Sequence, residues 1–182
     1  ASFTFKVQDD GGTTNGGVDL DPTANTITIN VTSVNDAPAG ADNTVTILED
    51  GSKTFAASDF GFTDADGNNL LAIKIITLPS AGTLKLNGVD VTANQVIAVA
   101  DISNLVFAPA ANANGTGYAS FTFKVQDDGG TANGGVDLDP TANTITIDVT
   151  SVNDAPAGTD NTFTILEDGS KTFATSDFGF SD

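Results

Sequence analysis

Acidic residues beside glycine are the groups in this sequence whose types and spacing could do chemistry. Four acidic elements occur within one stretch of the chain, and three of them contain glycine: Asn35-Asp36, Glu49-Asp50-Gly51, Asp64-Ala65-Asp66-Gly67 and Asp127-Asp128-Gly129-Gly130. Calcium takes about six to eight oxygen ligands in irregular geometry, so carboxylates from separate loops can share one ion. Glycine permits the sharp turns that bring backbone carbonyls toward such an ion. The pattern therefore favours cation binding over simple surface acidity.

Catalytic chemistry fits the same residues poorly. The sequence contains no histidine and no cysteine, so it has no nucleophile–base pair of the usual kind. Asp64 does not open an EF-hand, because the twelfth position of that loop is Ile75, where a bidentate glutamate is required. We therefore predict no catalytic residue and a protein that is not an enzyme.

Composition limits the possible partners. The formal net charge is −18, with only six lysines and no arginine. A nucleic-acid partner is excluded, because phosphate neutralisation needs clustered basic side chains. Direct contact with an anionic membrane surface is disfavoured for the same reason. Without cysteine there can be no disulfide, and a metal ion is a plausible substitute for that kind of cross-link.

A long internal repeat organises the chain. The segment from Ala1 to Gly12 recurs at 119–130, an offset of 119 − 1 = 118, and the offset holds until Asp64 matches Asp182. Over the 182 − 118 = 64 aligned pairs, only six differ: Thr14/Ala132, Asn30/Asp148, Ala41/Thr159, Val45/Phe163, Ala57/Thr175 and Thr63/Ser181. We therefore expect one full period of a tandem array, flanked by incomplete copies.

The elements that position the acidic loops are predicted to be β-strands. Apolar residues alternate with threonine and other polar residues, and no segment keeps a helical period. Leu71, Ile73 and Ile75 are predicted to share one buried face. Asn87-Gly88 predicts a two-residue hairpin, because both positions tolerate positive φ. About seven to nine strands per repeat indicate an all-β, Ig-like Greek-key sandwich in a tandem array.

Domain boundaries are expected near the segment Ser33-Val34-Asn35-Asp36-Ala37-Pro38-Ala39-Gly40, which recurs at 151–158. Proline removes a ladder donor, so a strand should end just before Pro38. We place the last strands of a preceding repeat at 1–36, one complete repeat at 37–152, and the first strands of the following repeat at 153–182.

The order of these motifs resembles a known family. Glu49 is followed by Thr63-Asp64-Ala65-Asp66-Gly67, then Val125-Gln126-Asp127-Asp128-Gly129-Gly130, and finally Val152-Asn153-Asp154-Ala155-Pro156. The series resembles a cadherin repeat, and more closely the cadherin-like repeats of very large bacterial adhesins and exoproteins, including those of RTX type. The segment from Phe107 to Gly115 is typical of them. The part from Glu49 to Asp128 also resembles chondroitin sulfate proteoglycan repeats.

This resemblance implies Ca2+ at the junctions between successive repeats. The first junction would use Asn35 and Asp36 from the linker, with Asp64, Asp66 and Asp127 or Asp128 from the following repeat. The second junction would use Glu49, Asn153, Asp154 and Asp182. The cadherin linker has an aspartate where this chain has Ser33, and an asparagine where it has Ala37. We therefore expect one or two ions per junction.

The function implied by the resemblance is structural. A calcium-rigidified extender of a giant cell-surface or secreted adhesin, of the kind active in cell adhesion and biofilms, would lie outside the bacterial cell. Its partners would be neighbouring repeats of the same chain. Two alternatives stay open, a self-assembling extracellular filament and a module that binds glycan or protein.

Overall fold

The computed structural model describes residues 1–182, and its regular structure is almost entirely β. The strands are β1 (Ser2–Phe5), β2 (Asn25–Thr28), β3 (Asn43–Leu48), β4 (Lys53–Thr54), β5 (Leu70–Thr77), β6 (Thr83–Leu86), β7 (Val89–Asp90), β8 (Val96–Ala98), β9 (Leu105–Ala108), β10 (Gly115–Asp127) and β11 (Asn143–Thr150). Short 3-10 helices cover Thr14–Gly16, Ala57–Phe60, Val99–Asn104, Ala132–Gly134 and Thr175–Phe178. No helix is long and apolar enough to cross a membrane. The all-β prediction is confirmed.

Strands β3 to β11 form two sheets. The first sheet has the order β3-β11-β10-β5-β8 and the second the order β4-β9-β6-β7. Only the β3–β11 pair is parallel, and every other pair in these sheets is antiparallel. The chain passes between the sheets several times, as a Greek-key sandwich requires. The nine strands agree with the predicted seven to nine.

The hydrophobic core lies between the two sheets. Inward residues of the first sheet include Ile73, Ile75, Phe121, Phe123, Val125, Ile145 and Ile147, and they pack against Phe55, Leu84, Leu105 and Phe107 on the side of the second sheet. On β10 the inward residues alternate with outward polar ones, because successive side chains of a strand point to opposite faces. The alternation visible in the sequence therefore predicts the core of this strand correctly.

The Asn87-Gly88 hairpin is also confirmed. These two residues join β6 to β7, with φ of 52° at Asn87 and 80° at Gly88. Both values lie in the left-handed region that a type I′ turn needs, and asparagine and glycine adopt it at the lowest cost.

One core prediction is wrong, at the start of β5. Leu71 is 47% exposed, whereas Ile73 and Ile75 are buried as predicted. In the ladder with β10, Gln126 pairs with Ala72 and Asp127 with Leu70, so Leu71 has no partner. An extra residue at such a β-bulge reverses the alternation. As a result Leu70, rather than Leu71, packs against the core.

The segments outside β3–β11 repeat parts of the sandwich. In the β1–β2 hairpin Phe3 pairs with Ile27, as Phe121 pairs with Ile145 one period later. In residues 153–182, a bridge between Ala157 and Ser181 repeats the bridge between Ala39 and Thr63. The complete sandwich lies inside 37–152, and the boundaries of 1–36, 37–152 and 153–182 stay predictions.

Candidate interdomain junction sites

Asn35 fastens the linker to one end of the sandwich. Its Nδ2 donates to Asp127 at 3.0 Å (Oδ1) and 3.3 Å (Oδ2), and to the carbonyl of Val136 at 2.8 Å. The backbone N–H of Val136 donates in return to the carbonyl of Asn35 at 3.0 Å. Asp127 ends β10 and is fully buried, so its carboxylate needs such donors.

The backbone of Gly129 approaches the side chains of Asn35 and Asn68 closely and completes the pocket around Asn35. Asn68 Nδ2 donates to Asn35 Oδ1. A Cβ on Gly129 would overlap both the Asn35 and the Asn68 side chains. A side chain at position 129 would therefore displace the Asn35 and Asn68 amides from this arrangement, which glycine accommodates. We name this arrangement of Asn68, Asp127, Gly129 and Val136 the asparagine pocket.

The Asp64-Ala65-Asp66-Gly67 loop meets the linker one residue further on. The N–H of Asp36 donates to Asp66 Oδ2 at 2.7 Å. Asp64 Oδ1 accepts the N–H groups of Asp66 at 2.9 Å and Asn68 at 2.7 Å. Asp64 Oδ2 is buried and has no hydrogen-bond partner. Buried oxygens are rarely left in this state, so Asp64 is the group here most in need of a ligand.

Asp128 joins a neighbouring loop to the end of β10. Its Oδ1 accepts the N–H of Asn69 at 2.8 Å, and its Oδ2 accepts Asn69 Nδ2 at 3.2 Å. The backbone N–H of Asn69, followed by its side chain, holds the pKa of Asp128 below its ordinary value. Asp127 similarly accepts the N–H of Gly129 at 2.8 Å. Both carboxylates thus stabilise the loops that frame Asn35.

Glu49 occupies the opposite end of the sandwich. It follows β3 and is only 6% exposed. Its Oε1 accepts the backbone N–H of Val152, and its Oε2 accepts Asn114 Nδ2 at 2.9 Å. The Val152 N–H, and then the Asn114 amide, hold the pKa of Glu49 below its ordinary value. Glu49 therefore fixes the chain as it leaves β11.

The residues predicted at the second junction lie together. Glu49, Asn153, Asp154 and Asp182 line one cleft, along with Asn112 and Asn114. Asn153 Nδ2 donates to the carbonyl of Asp154 at 2.8 Å. At the first junction, Asn35 and Asp66 line a second cleft with Asn68 and Gly129. Asp36, Asp64, Asp127 and Asp128 connect to that cleft through the hydrogen bonds described above.

The fit to calcium can be judged from the donor atoms. The predicted side-chain ligands offer oxygen atoms, which calcium prefers, and Asp64 Oδ2 is unpartnered. No three His, Cys, Asp or Glu side chains, however, are close enough together to hold a metal ion. Most of the carboxylates accept N–H groups instead. The calcium ligand set therefore stays a prediction.

Several functional residues were missed in the sequence. Asn68 and Asn69 directly follow the motif Asp64-Ala65-Asp66-Gly67, so their position was an available signal, whereas Gly129 was already part of the named motif Asp127-Asp128-Gly129-Gly130. Asn114 lies in the segment from Phe107 to Gly115 but carried no sign of its contact with Glu49, and Val136 carried no local signal. Asn114 is 65 residues from Glu49, and only the folded topology brings the two together.

These features define the class of protein. A Greek-key sandwich of nine strands, with its first strand parallel to its last, is an immunoglobulin-like domain. The family model of the bacterial Ig domain matches residues 35–139, and the chain belongs to this family. Domains of this family are typically non-enzymatic structural modules and usually lie on the cell surface or outside the cell. No curated protein and no solved structure matches the chain significantly.

Proposed function

We propose that this chain is part of a spacer in a giant bacterial cell-surface or secreted adhesin of the cadherin-like, RTX-adhesin type. Repeats placed end to end would hold a distal binding domain away from the cell, without catalysis. One observation carries the proposal. The pairing of β1 with β2 repeats that of β10 with β11 residue for residue, 118 positions earlier. A spacer needs many copies of the same folded unit and does not need a unique binding site. A hairpin that recurs with the same pairing one period apart is what such a series of copies would show.

Calcium is the second part of this proposal. At the first junction Asp36, Asp64 and Asp66 already form a connected series, and Asp64 Oδ2 lacks a partner. Asn35, Asp127 and Asp128 would complete this site. Ions shared between a linker and both neighbouring sandwiches would offset the repulsion implied by a net charge of −18. Glu49, Asn153, Asp154 and Asp182 would play the same part at the second junction.

Chelation tests the calcium part. Extracellular modules bind calcium at about 10⁻⁴–10⁻³ M, and an ion at 100 times its Kd stabilises the folded state by about 2.7 kcal/mol. The melting temperature should therefore fall when EDTA replaces calcium. Asp64→Ala should remove most of this difference. Asp90→Ala, at an exposed residue paired only with Lys85, is the matched control and should retain it. An unchanged melting curve in EDTA would contradict calcium binding while leaving the spacer intact.

Length tests the spacer part. Strands of about ten residues should add roughly 35–40 Å per repeat along a straight rod. Small-angle X-ray scattering of chains with two, three and four repeats should show maximum dimensions that increase by this step. A maximum dimension that grows much more slowly would mean that the repeats fold back on each other, and would contradict the spacer.

A filament is the second candidate, favoured by the apolar side chains that the incomplete copies expose. Phe3 is 52% and Ile27 42% exposed on the β1–β2 hairpin, and Phe178 is 62% exposed near the other end. Residues 161–166 carry the β3 sequence with one change and could pair with β2 of another copy. Sedimentation of the 182-residue chain over a range of concentrations would reveal such assembly. A single species at all concentrations would exclude it.

A further inference from the structure

Each end of the sandwich forms hydrogen bonds with the linker beside it, and the two bonded positions are neighbours in the repeat. Glu49 accepts the N–H of Val152, just after the last strand of its own sandwich. Asn35 enters the asparagine pocket of the sandwich that follows it. By the 118-residue period, Asn35 corresponds to Asn153. At the second linker Val152 is held by the sandwich before it, and the next residue, Asn153, matches the residue that the following sandwich holds at the first linker.

We propose that a protein-only clasp couples successive repeats, an inference that rests on the proposed spacer. Glu49 of one repeat holds the backbone of Val152, and Asn153 enters the asparagine pocket of the next repeat. No residue lies between the two contacts, so the linker contains no free segment about which the sandwiches could pivot. The coupling requires no metal ion, and calcium would add to it.

Both halves of the clasp engage several polar groups at once. Asn35 engages its Nδ2, its Oδ1 and its backbone carbonyl, all with groups of the following sandwich. Glu49 engages both carboxylate oxygens. The charged acceptors Asp127 and Glu49 are buried, at 0% and 6% exposure. Hydrogen bonds to buried carboxylates are strong, and breaking them leaves a buried charge without its donor.

The second linker shows the clasp half assembled. Val152 is held by Glu49, but Asn153 Nδ2 donates to the carbonyl of Asp154. The counterparts of Asn68, Asp127 and Val136 would follow Asp182 in the period. When they are present, Asn153 should turn into their pocket as Asn35 does at the first linker.

The test uses a longer chain in which a copy of residues 65–154 follows Asp182. Because Asp182 matches Asp64, this addition completes the second repeat and yields two complete sandwiches. In EDTA, ¹⁵N relaxation should report one rotational correlation time for both. Asn153→Ala or Glu49→Ala should lower that time about twofold, toward the value of a single sandwich, because the two halves then tumble separately. Asn35→Ala is the matched control. It removes the same contact at the first linker and should leave the two complete sandwiches coupled.

The outcomes separate this inference from the proposed function. Independent tumbling of the unaltered chain in EDTA would overturn the clasp, although stiffening on addition of calcium would still support the spacer. Coupled tumbling that persists in Asn153→Ala would overturn it as well. A thermal melt of each variant verifies that both sandwiches stay folded. The spacer itself fails only if added repeats do not lengthen the molecule.

Discussion

The rings of Phe55 and Phe121 meet edge to face, with centroids 5.5 Å apart and planes at 89°. Phe55 follows β4 of the four-stranded sheet, and Phe121 lies on β10 of the five-stranded sheet. Both are almost completely buried. Such aromatic pairs contribute about 0.5–1.5 kcal/mol beyond the burial of their surface. The contact therefore joins the two layers of the sandwich at its centre.

Removing the ring of Phe121 should destabilise the protein strongly, whereas removing the ring of its counterpart Phe3 should have little effect. Phe121→Ala should lower the free energy of unfolding by about 3–5 kcal/mol, because it opens a cavity in the core. Phe3, its counterpart 118 residues earlier, is 52% exposed on an uncovered hairpin. Phe3→Ala should therefore change stability by less than about 0.5 kcal/mol. Urea denaturation measures both values, and equal losses would contradict the described core.

Gly129→Ala should loosen the first linker. The new Cβ would displace the side chains of Asn35 and Asn68, leaving the buried Asp127 carboxylate short of a donor. We expect a loss of about 1–3 kcal/mol, and faster hydrogen exchange at the N–H of Val136. Gly11→Ala, at the matching position, meets only Asp9 Oδ1 at 3.2 Å. An effect of Gly11→Ala as large as that of Gly129→Ala would show that the glycine acts through its backbone alone.

Glu49 predicts a specific pH dependence. Its pKa in the folded state lies below the ordinary 4.5, chiefly because the N–H of Val152 donates to it. Its contribution to stability is thus full above pH 4.5 and is lost as the pH falls through the lower folded value. The stability advantage over Glu49→Gln should shrink in that acid range. Glu167→Gln, at the exposed counterpart, should change the free energy of unfolding by less than about 0.5 kcal/mol. A constant difference between wild type and Glu49→Gln from pH 7 to pH 3 would contradict this linkage.

Asp139 should stabilise the entry of the chain into the sandwich. It is 3% exposed and accepts the N–H of Gly40 at 2.9 Å, the N–H of Thr141 at 2.8 Å and Asn143 Nδ2 at 2.8 Å. Removing a buried carboxylate from three donors should cost about 1–3 kcal/mol in a urea titration of Asp139→Ala.

The matched control for that change is Asp21→Ala. Asp21 keeps the contacts to Thr23 and Asn25 that correspond to Thr141 and Asn143, but no counterpart of the Gly40 bond is present. The control should therefore leave the global unfolding free energy nearly unchanged. Accelerated exchange at the Gly40 amide only in Asp139→Ala would identify the missing contact.

Local patterns predicted much of the fold. The Asn87-Gly88 turn and the alternation along β10 depend on backbone preference and on side-chain period, which neighbouring residues carry. The prediction that Leu71 is buried was wrong because of the β-bulge at this position. A bulge depends on how β5 pairs with β10, and the local sequence pattern does not contain that pairing. Register between distant strands is a property of the whole sandwich.

The junction residues were partly predictable for the same reason. Asn35, Glu49 and Asn153 lie in acidic or amide-containing motifs, and their residue types and spacing predicted a role at the junctions. Their partners are set by topology. Val136 lies 101 residues from Asn35, and Val152 lies 103 residues from Glu49. Separations of this size leave no trace in a short sequence window.

The parallel pairing of β3 with β11 bears on how a near-identical array avoids misfolding. These strands are the first and the last of the sandwich, so the sandwich is finished only after its whole length has been synthesised. Residues 161–166, nearly identical to β3, follow β11 after the ten residues 151–160 and would compete for its edge. Parallel neighbours, however, need a crossover of a dozen or more residues, and 151–160 is too short for one. The shortness of the linker thus protects each sandwich from exchanging a strand with the copy that follows it, the usual failure of repetitive proteins.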